Sequence, residues 1–193
     1  MTFQGSGDRD LRIAMRGMVE GNGHPYSWSA IFNGYDPDEM ARCPYAVIPA
    51  YLGRQPKNSI GIPGARVTHI WTDDPADAPK VARAALVPNT VTRAEDVIGH
   101  VDAVIIATDI GSEHVDRCSP FVEAGLPVFV DKPLVDNTRD LRVFRQWHEQ
   151  GRPFMSSSCM AYATEFGRFR ESTAELGALR YATATTMKSW ERY

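Results

Sequence analysis

The chain has 193 residues, 43% of them hydrophobic, and a formal net charge of −3. That length allows one full domain plus part of another, and the apolar content supports a packed core and excludes a disordered chain. Acids and bases are interspersed, so no basic footprint points to nucleic acid. No apolar run is long enough to span a bilayer, so a membrane is not an expected partner either.

Residues 1–10 are polar, lack the apolar core of a signal peptide, and read as a flexible tail. The three cysteines, Cys43, Cys118 and Cys159, are odd in number and have no metal-ligand spacing. They imply neither a disulfide framework nor a metal site. They suit a reducing, cytoplasmic compartment and read as small buried hydrophobes.

Residues 11–17 alternate as a first strand. Glycines then crowd in at Gly17, Gly21 and Gly23, with Asn22 between the last two, and residues 25–33 read as a helix. Pro25 suits the first helical position and Gly34 the position past the end. Strand, glycine turn and helix start form a phosphate-binding arrangement, because glycine lets the backbone come close and free N–H groups at a helix start favour an anion. Gly17, Gly21, Asn22 and Gly23 are therefore candidate cofactor contacts. The spacing is Gly-x-x-x-Gly-x-Gly rather than the standard Gly-x-Gly-x-x-Gly, with Val19 where the second glycine belongs. A glycine-rich connector without a ligand is the competing reading.

Residues 34–65 form an insertion. One or two helical turns are expected over 36–42, followed by Pro44, Pro49, Pro56 and Pro63 with Gly53, Gly61 and Gly64. So much proline and glycine predicts a long ordered loop, either functional or a surface excursion.

A second strand covers 65–72 and ends in Thr72-Asp73-Asp74-Pro75. An acid at such a strand end commonly accepts hydrogen bonds from the adenosine ribose of NAD, which makes Asp73 a candidate, with a solvated turn acid as the alternative. Asp74 reads as the cap of a helix over 76–85. A short third strand follows at 87–91. Thr92 and Glu95 then have capping-box spacing at the start of a short helix.

The central strand, 103–108, ends in Ala107-Thr108-Asp109. A helix over 113–124 follows, capped by Ser112 or Asp109, with His114 in its first turn. Thr108, Asp109 and His114 thus stand at the carboxyl end of a sheet strand, where open α/β sheets bind ligands. The fifth strand, 128–130, delivers Asp131-Lys132-Pro133. Only four lysines occur, Lys57, Lys80, Lys132 and Lys188. Neighbours in extended chain point opposite ways, so Lys132 has more to do than pair with Asp131. It reads as a cation aimed into the crevice, able to hold a substrate oxygen, against the alternative of a snorkelling surface lysine. A cis Lys132–Pro133 bond is expected. Asn137 or Thr138 caps a helix over 139–150 with a packing stripe of Leu141, Phe144 and Trp147. A sixth strand at 153–155, a helix over 164–175 and β material over 178–187 complete the chain.

Strands alternating with helices give an α/β class with a doubly wound parallel sheet. The combination of Ala107-Thr108-Asp109, His114, Ala124-Gly125 and Asp131-Lys132-Pro133 resembles the Gfo/Idh/MocA family of oxidoreductases across roughly residues 11 to 193. The resemblance implies a Rossmann-type dinucleotide-binding domain over 11–155 holding NAD or NADP. It further implies that 156–193 begin an incomplete C-terminal α/β substrate domain. By the same resemblance Lys132 is catalytic, near the nicotinamide and the reacting carbon, and Asp131 stands where the family has glutamate. The family's catalytic histidine falls later than Tyr193, so the chain reads as the N-terminal portion of a larger enzyme and as inactive alone. The implied function is hydride transfer between nicotinamide and a sugar, polyol or related hydroxy compound, in a homo-oligomer formed through the second-domain sheet. The alternative is a non-catalytic dinucleotide-binding or subunit-pairing module.

Overall fold

The computed structural model describes residues 9–178, 180–183 and 185. They fall into two compact units, one ending at Ser157 and the other beginning at Ser158. The first holds six strands: β1 (Leu11–Arg16), β2 (Ala65–Trp71), β3 (Asn89–Thr90), β4 (Ala103–Ile106), β5 (Val128–Val130) and β6 (Phe154–Ser156). All pair in parallel, in the order β3-β2-β1-β4-β5-β6. This is the doubly wound order whose direction of progression reverses between β1 and β4, which opens a crevice at their carboxyl ends.

Side-chain alternation divides the core between the two faces. Ile13 and Met15 of β1 and Ile105 of β4 pack on one side, under α1 (His24–Asn33) and α4 (Ala78–Ala84). Ala14, Val104, Ile106, Val128 and Val130 face the other, under Cys118, Phe121 and Val122 of α5 (His114–Glu123) and Phe144 of α6 (Thr138–Glu149). On β2, Val67 and Ile70 share one face although three residues apart. A register shift opposite Ile13–Ala14 inserts Thr68 as an extra residue, and such a bulge resets the alternation.

The insertion departs most from expectation. It holds α2 (Pro37–Met40), whose cap Asp36 accepts from the Asp38 and Glu39 N–H groups, and α3 (Val47–Leu52), which the sequence did not predict. Met40, Ile48 and Leu52 are buried in the α1-side core, so the segment is part of the fold rather than an excursion from it.

Smaller differences have local causes. The Asp74 side chain accepts from Ala76 N–H in a turn that precedes α4, so it does not cap that helix directly. At the short 3-10 turn Ala94–Val97, Asp96 rather than Glu95 receives the Arg93 N–H and the Thr92 hydroxyl. Neither Ser112 nor Asp109 caps α5, because a 3-10 turn at Gly111–Glu113 leads into the helix and puts Glu113 at the cap position, with no side-chain cap bond. Leu141 is exposed, and the stripe of α6 reduces to Phe144 with Trp147 edge-on at 4.9 Å. Asn137 caps α6 as expected, accepting from Asp140 N–H. Of the tail, residues 1–8 lie outside the described residues, and Arg9 is held to Asp102 through two hydrogen bonds.

The second unit contains a 3-10 turn at Cys159–Tyr162, α7 (Thr164–Ser172) and a further 3-10 turn at Thr173–Leu176. The strand expected over 178–187 falls partly outside the described residues, and residues 178, 180–183 and 185, which are described, carry no strand pairing. Among the described residues no helix is long and apolar enough to cross a membrane. Nor does any group of three or more His, Cys, Asp or Glu there form a possible metal site.

Candidate dinucleotide site at the carboxyl edge of the sheet

Every candidate residue from β1 to β5 stands at the carboxyl edge. Gly17 ends β1 with φ +92°, a region that favours glycine. A Cβ there would lie 2.6 Å from Thr108 Cγ2. Its lack of a side chain lets the first turn press against the end of β4. Thr108 is fully buried, and its Oγ1 has no partner among the described residues. An orphaned buried hydroxyl beside a glycine cradle, at the point where strand order reverses, is the kind of opening a ligand completes.

The glycine loop is tied down by side chains from distant strands. Asp73, just past β2, accepts the Met18 N–H on Oδ2 at 2.9 Å and Arg117 Nη2 on Oδ1 at 2.7 Å. Arg117 also donates to Glu113, the residue just before α5. Burial works against the Arg117 cation, but hydrogen bonds to Asp73 and Glu113 outweigh it and hold the guanidinium above its ordinary range. Thr72 turns its hydroxyl to Asp74 O at 2.6 Å. Arg16, directly before Gly17, lies over the rings of Trp71 and Phe121 at 5.3 and 5.8 Å. Its Nε and Nη1 are buried without partners among the described residues, and burial, with repulsion from Arg117, pushes its proton affinity down.

A second network joins the loop to β5. Asp131 is 1% exposed. Its Oδ1 accepts the Lys132 N–H at 2.7 Å, while Oδ2 faces His24 Nδ1 at 2.5 Å and Asn22 Nδ2 at 3.4 Å. Asn22, also buried, donates to Ala107 O at the end of β4 and accepts the His24 N–H. His24 stacks on Trp28 with ring centroids 4.3 Å apart. Helix α1 therefore begins on the carboxyl rim, and the His24 side chain in its first turn reaches the end of β5. Lys132 follows at that rim, and Lys132–Pro133 is cis.

His114 and Gly23 are committed to the fold itself. His114 is fully buried, with Nε2 2.8 Å from Thr108 O and Nδ1 3.0 Å from Leu134 O. Both ring nitrogens are committed to backbone, so His114 braces the loops after β4 and β5 and offers no atom to a cofactor. Asp109 is half-buried, and among the described residues it makes no hydrogen bond or ion pair. Gly23 lies under the insertion, where a Cβ would meet Ile48 and Tyr45 within 2.6 Å. It serves packing of the loop rather than an open cradle. Sequence reading passed over His24, Asn22's role as a strut, Arg16 and Arg117. His24 could have been found, since it follows the last loop glycine and precedes the helix proline. For Arg117 the only local signal is Glu113 four residues earlier, which reads as a helix-surface pair.

An apolar groove of about 640 Å³, lined by Leu11, Ile13, Phe32, Ala103, Phe129 and Met155 among others, runs along the sheet face towards the amino ends of the strands. It lacks the convergent polar groups of the carboxyl edge, so the latter is the functional candidate.

A parallel sheet in this order, with a glycine turn, an acid past β2 and a lysine past β5, defines a dinucleotide-binding class of protein. Residues 45–156 match the family model described as an oxidoreductase family with an NAD-binding Rossmann fold, and the chain belongs to this Gfo/Idh/MocA family. An inositol 2-dehydrogenase of Corynebacterium glutamicum strain R is 33% identical over 122 residues, covering 60% of this chain and 36% of the relative. Among solved structures, myo-inositol 2-dehydrogenase from Lactobacillus plantarum superposes with a TM-score of 0.61 at 16% identity, covering 86% of this chain and 42% of that one. Scyllo-inositol dehydrogenase from Lactobacillus casei, solved with NAD(H) and scyllo-inositol, gives 0.61 at 15% identity over the same shares. At such identity these structures speak for the fold alone. The chain spans less than half the length of these relatives.

Proposed function

We propose that this chain supplies the cofactor-binding part of an NAD-dependent oxidoreductase acting on a polyol, sugar or related hydroxy compound. The observation that carries the reading is the convergence at the switch point. Gly17 presses on Thr108, whose Oγ1 has no partner among the described residues, Asp73 is anchored past β2, and Asp131-Lys132 is anchored past β5. A dinucleotide laid across that edge would meet Asp73 at its adenosine ribose and the Gly17–Gly23 turn at its pyrophosphate. Lys132 would meet its redox end.

When bound, the nicotinamide supplies the hydride chemistry, and the protein supplies orientation and charge. Lys132 holds the reacting oxygen of the substrate. Asp131 fixes the lysine's backbone through its N–H. Asp73 favours NAD over NADP, because a carboxylate accepts from ribose hydroxyls but repels a 2′-phosphate. The polyol class is favoured by the 33% identical inositol 2-dehydrogenase.

A second reading is binding without turnover. It is favoured by the share of the relatives that this chain covers, 36% of the curated one.

Titration of the chain with NADH and NADPH, followed by nicotinamide fluorescence, tests the proposal. Saturable binding of NADH, weaker binding of NADPH and loss of affinity in Lys132→Ala are expected. Silence with both dinucleotides would overturn it.

A further inference from the structure

The amino end of α1 does not offer what such a helix ordinarily offers, free N–H groups in its first turn facing a phosphate. The His24 N–H is taken by Asn22 Oδ1 at 2.9 Å. Residue 25 is proline and has no N–H. The Tyr26 and Ser27 N–H groups both return to Gly23 O. Upstream, Gly17 N–H is bound to Trp71 O, Met18 N–H to Asp73 and Asn22 N–H to Val19 O. Most of the backbone donors on which the glycine-loop reading rests are already engaged, and Tyr45 and Ile48 close the space at Gly23.

What stands at that rim instead is the imidazole of His24. Its side chain is about one-third exposed, while that of its partner Asp131 is 2% exposed. Asp131 Oδ2 takes Nδ1, and Trp28 covers one face of the ring. With Nδ1 fixed on a carboxylate, the ring's orientation is set and Nε2 points away from Asp131. Among the described residues no hydrogen bond is made by Nε2. Donation to the buried carboxylate on one side and to a cofactor phosphate on the other uses both ring N–H positions, and each such bond is charge-assisted. Asp131 follows β5, past β4 as seen from the β1–β4 crevice. His24 is thereby on the side of the cofactor's nicotinamide half.

Building on the dinucleotide reading above, we propose that His24, oriented by Asp131, is the principal donor to the cofactor's second phosphate, the one nearer the nicotinamide ribose. It replaces the backbone donors that the irregular loop has used elsewhere. Asp131 is a positioning residue in this account, and His24 the contact.

The experiment is a titration of the wild-type chain, His24→Ala and His24→Gln with three ligands: NADH, ADP-ribose and AMP. The first two carry both phosphates, whereas AMP ends before the second. Both variants are expected to weaken NADH and ADP-ribose about tenfold, the worth of one charge-assisted hydrogen bond, and to leave AMP within about twofold. The glutamine amide can still donate to Asp131, so His24→Gln guards against mere misfolding, and its thermal midpoint is expected to match the wild type. Unchanged NADH affinity in both variants would overturn the assignment while leaving the dinucleotide reading intact. A fall in AMP binding in step with NADH would overturn it too, since that marks a purely structural role. Failure of the wild-type chain to bind any of the three would instead sink the dinucleotide reading, and this inference with it.

Discussion

Arg117, on the helix after β4, holds Asp73, just past β2, at 2.7 Å across the mouth of the crevice. The same carboxylate receives the Met18 N–H of the glycine turn. One side chain thus fixes the turn after β1, the end of β2 and the start of α5 relative to one another. Its position is set before any ligand arrives.

That rigidity makes Asp73 a sharp test of cofactor choice. Replacing it with serine removes the charge that would repel a 2′-phosphate and frees Arg117 to meet one. Asp73→Ser is expected to weaken NADH about tenfold, the equivalent of about 1.4 kcal/mol, and to tighten NADPH until the two are comparable. Parallel fluorescence titrations measure the ratio. A variant that keeps the wild-type preference would show that discrimination resides elsewhere.

The sheet was legible because strands such as Ala103–Ile106 and Val128–Val130 are short apolar runs punctuated by turn residues, and helices of matching length separate them. The networks at the site were not legible, because their partners are far apart in sequence. Asn22 and Asp131 are separated by 109 residues, His24 and Asp131 by 107, and Met18 and Asp73 by 55. No local pattern encodes such pairs. The insertion misled for a different reason. Its prolines suggested loop, yet Pro49 stands in the first turn of α3, where the missing N–H costs nothing. Of its apolar residues Met40, Cys43, Ile48 and Leu52 are buried in the core, whereas Val47 and Tyr51 are exposed. His114 was placed at the right strand end, but its burial and two backbone acceptors depend on the loop after β5, which sequence proximity does not reveal.

His114 should therefore govern stability more than ligand affinity. Both its partners, Thr108 O and Leu134 O, are carbonyls, and a neutral ring can donate to one of them only, whereas an imidazolium donates to both. His114→Leu keeps the volume and removes the ring's donor from a buried acceptor. A buried unsatisfied group costs about 1–3 kcal/mol, so a loss of roughly 1–3 kcal/mol in urea unfolding is expected. His114→Gln, which retains a donor, is expected to lose less. A leucine variant within about 0.5 kcal/mol of wild type would show that these contacts contribute little.

Asp102, at the opposite edge of the sheet just before β4, gives the fold an acid-sensitive clasp. It accepts two hydrogen bonds from Arg9 and three from Arg12, one of them the backbone N–H. Hydrogen bonds from Arg9 and then Arg12 outweigh the cost of burial and hold the carboxyl far below the usual carboxylate range. A carboxyl more acidic in the folded than in the unfolded state stabilises fully above the unfolded value, about 3.9. That contribution is lost as pH falls from there through the folded value. Asp102→Asn is expected to lower the urea midpoint at pH 6. The gap should narrow below about pH 4, where the wild type begins to lose the same interaction. The clasp is largely open to solvent, so screening limits its size, and the gap at pH 6 should shrink in high salt. Urea midpoints for both proteins from pH 6 down to pH 2 decide the matter. A gap that stays constant or widens on acidification would contradict the depressed carboxyl.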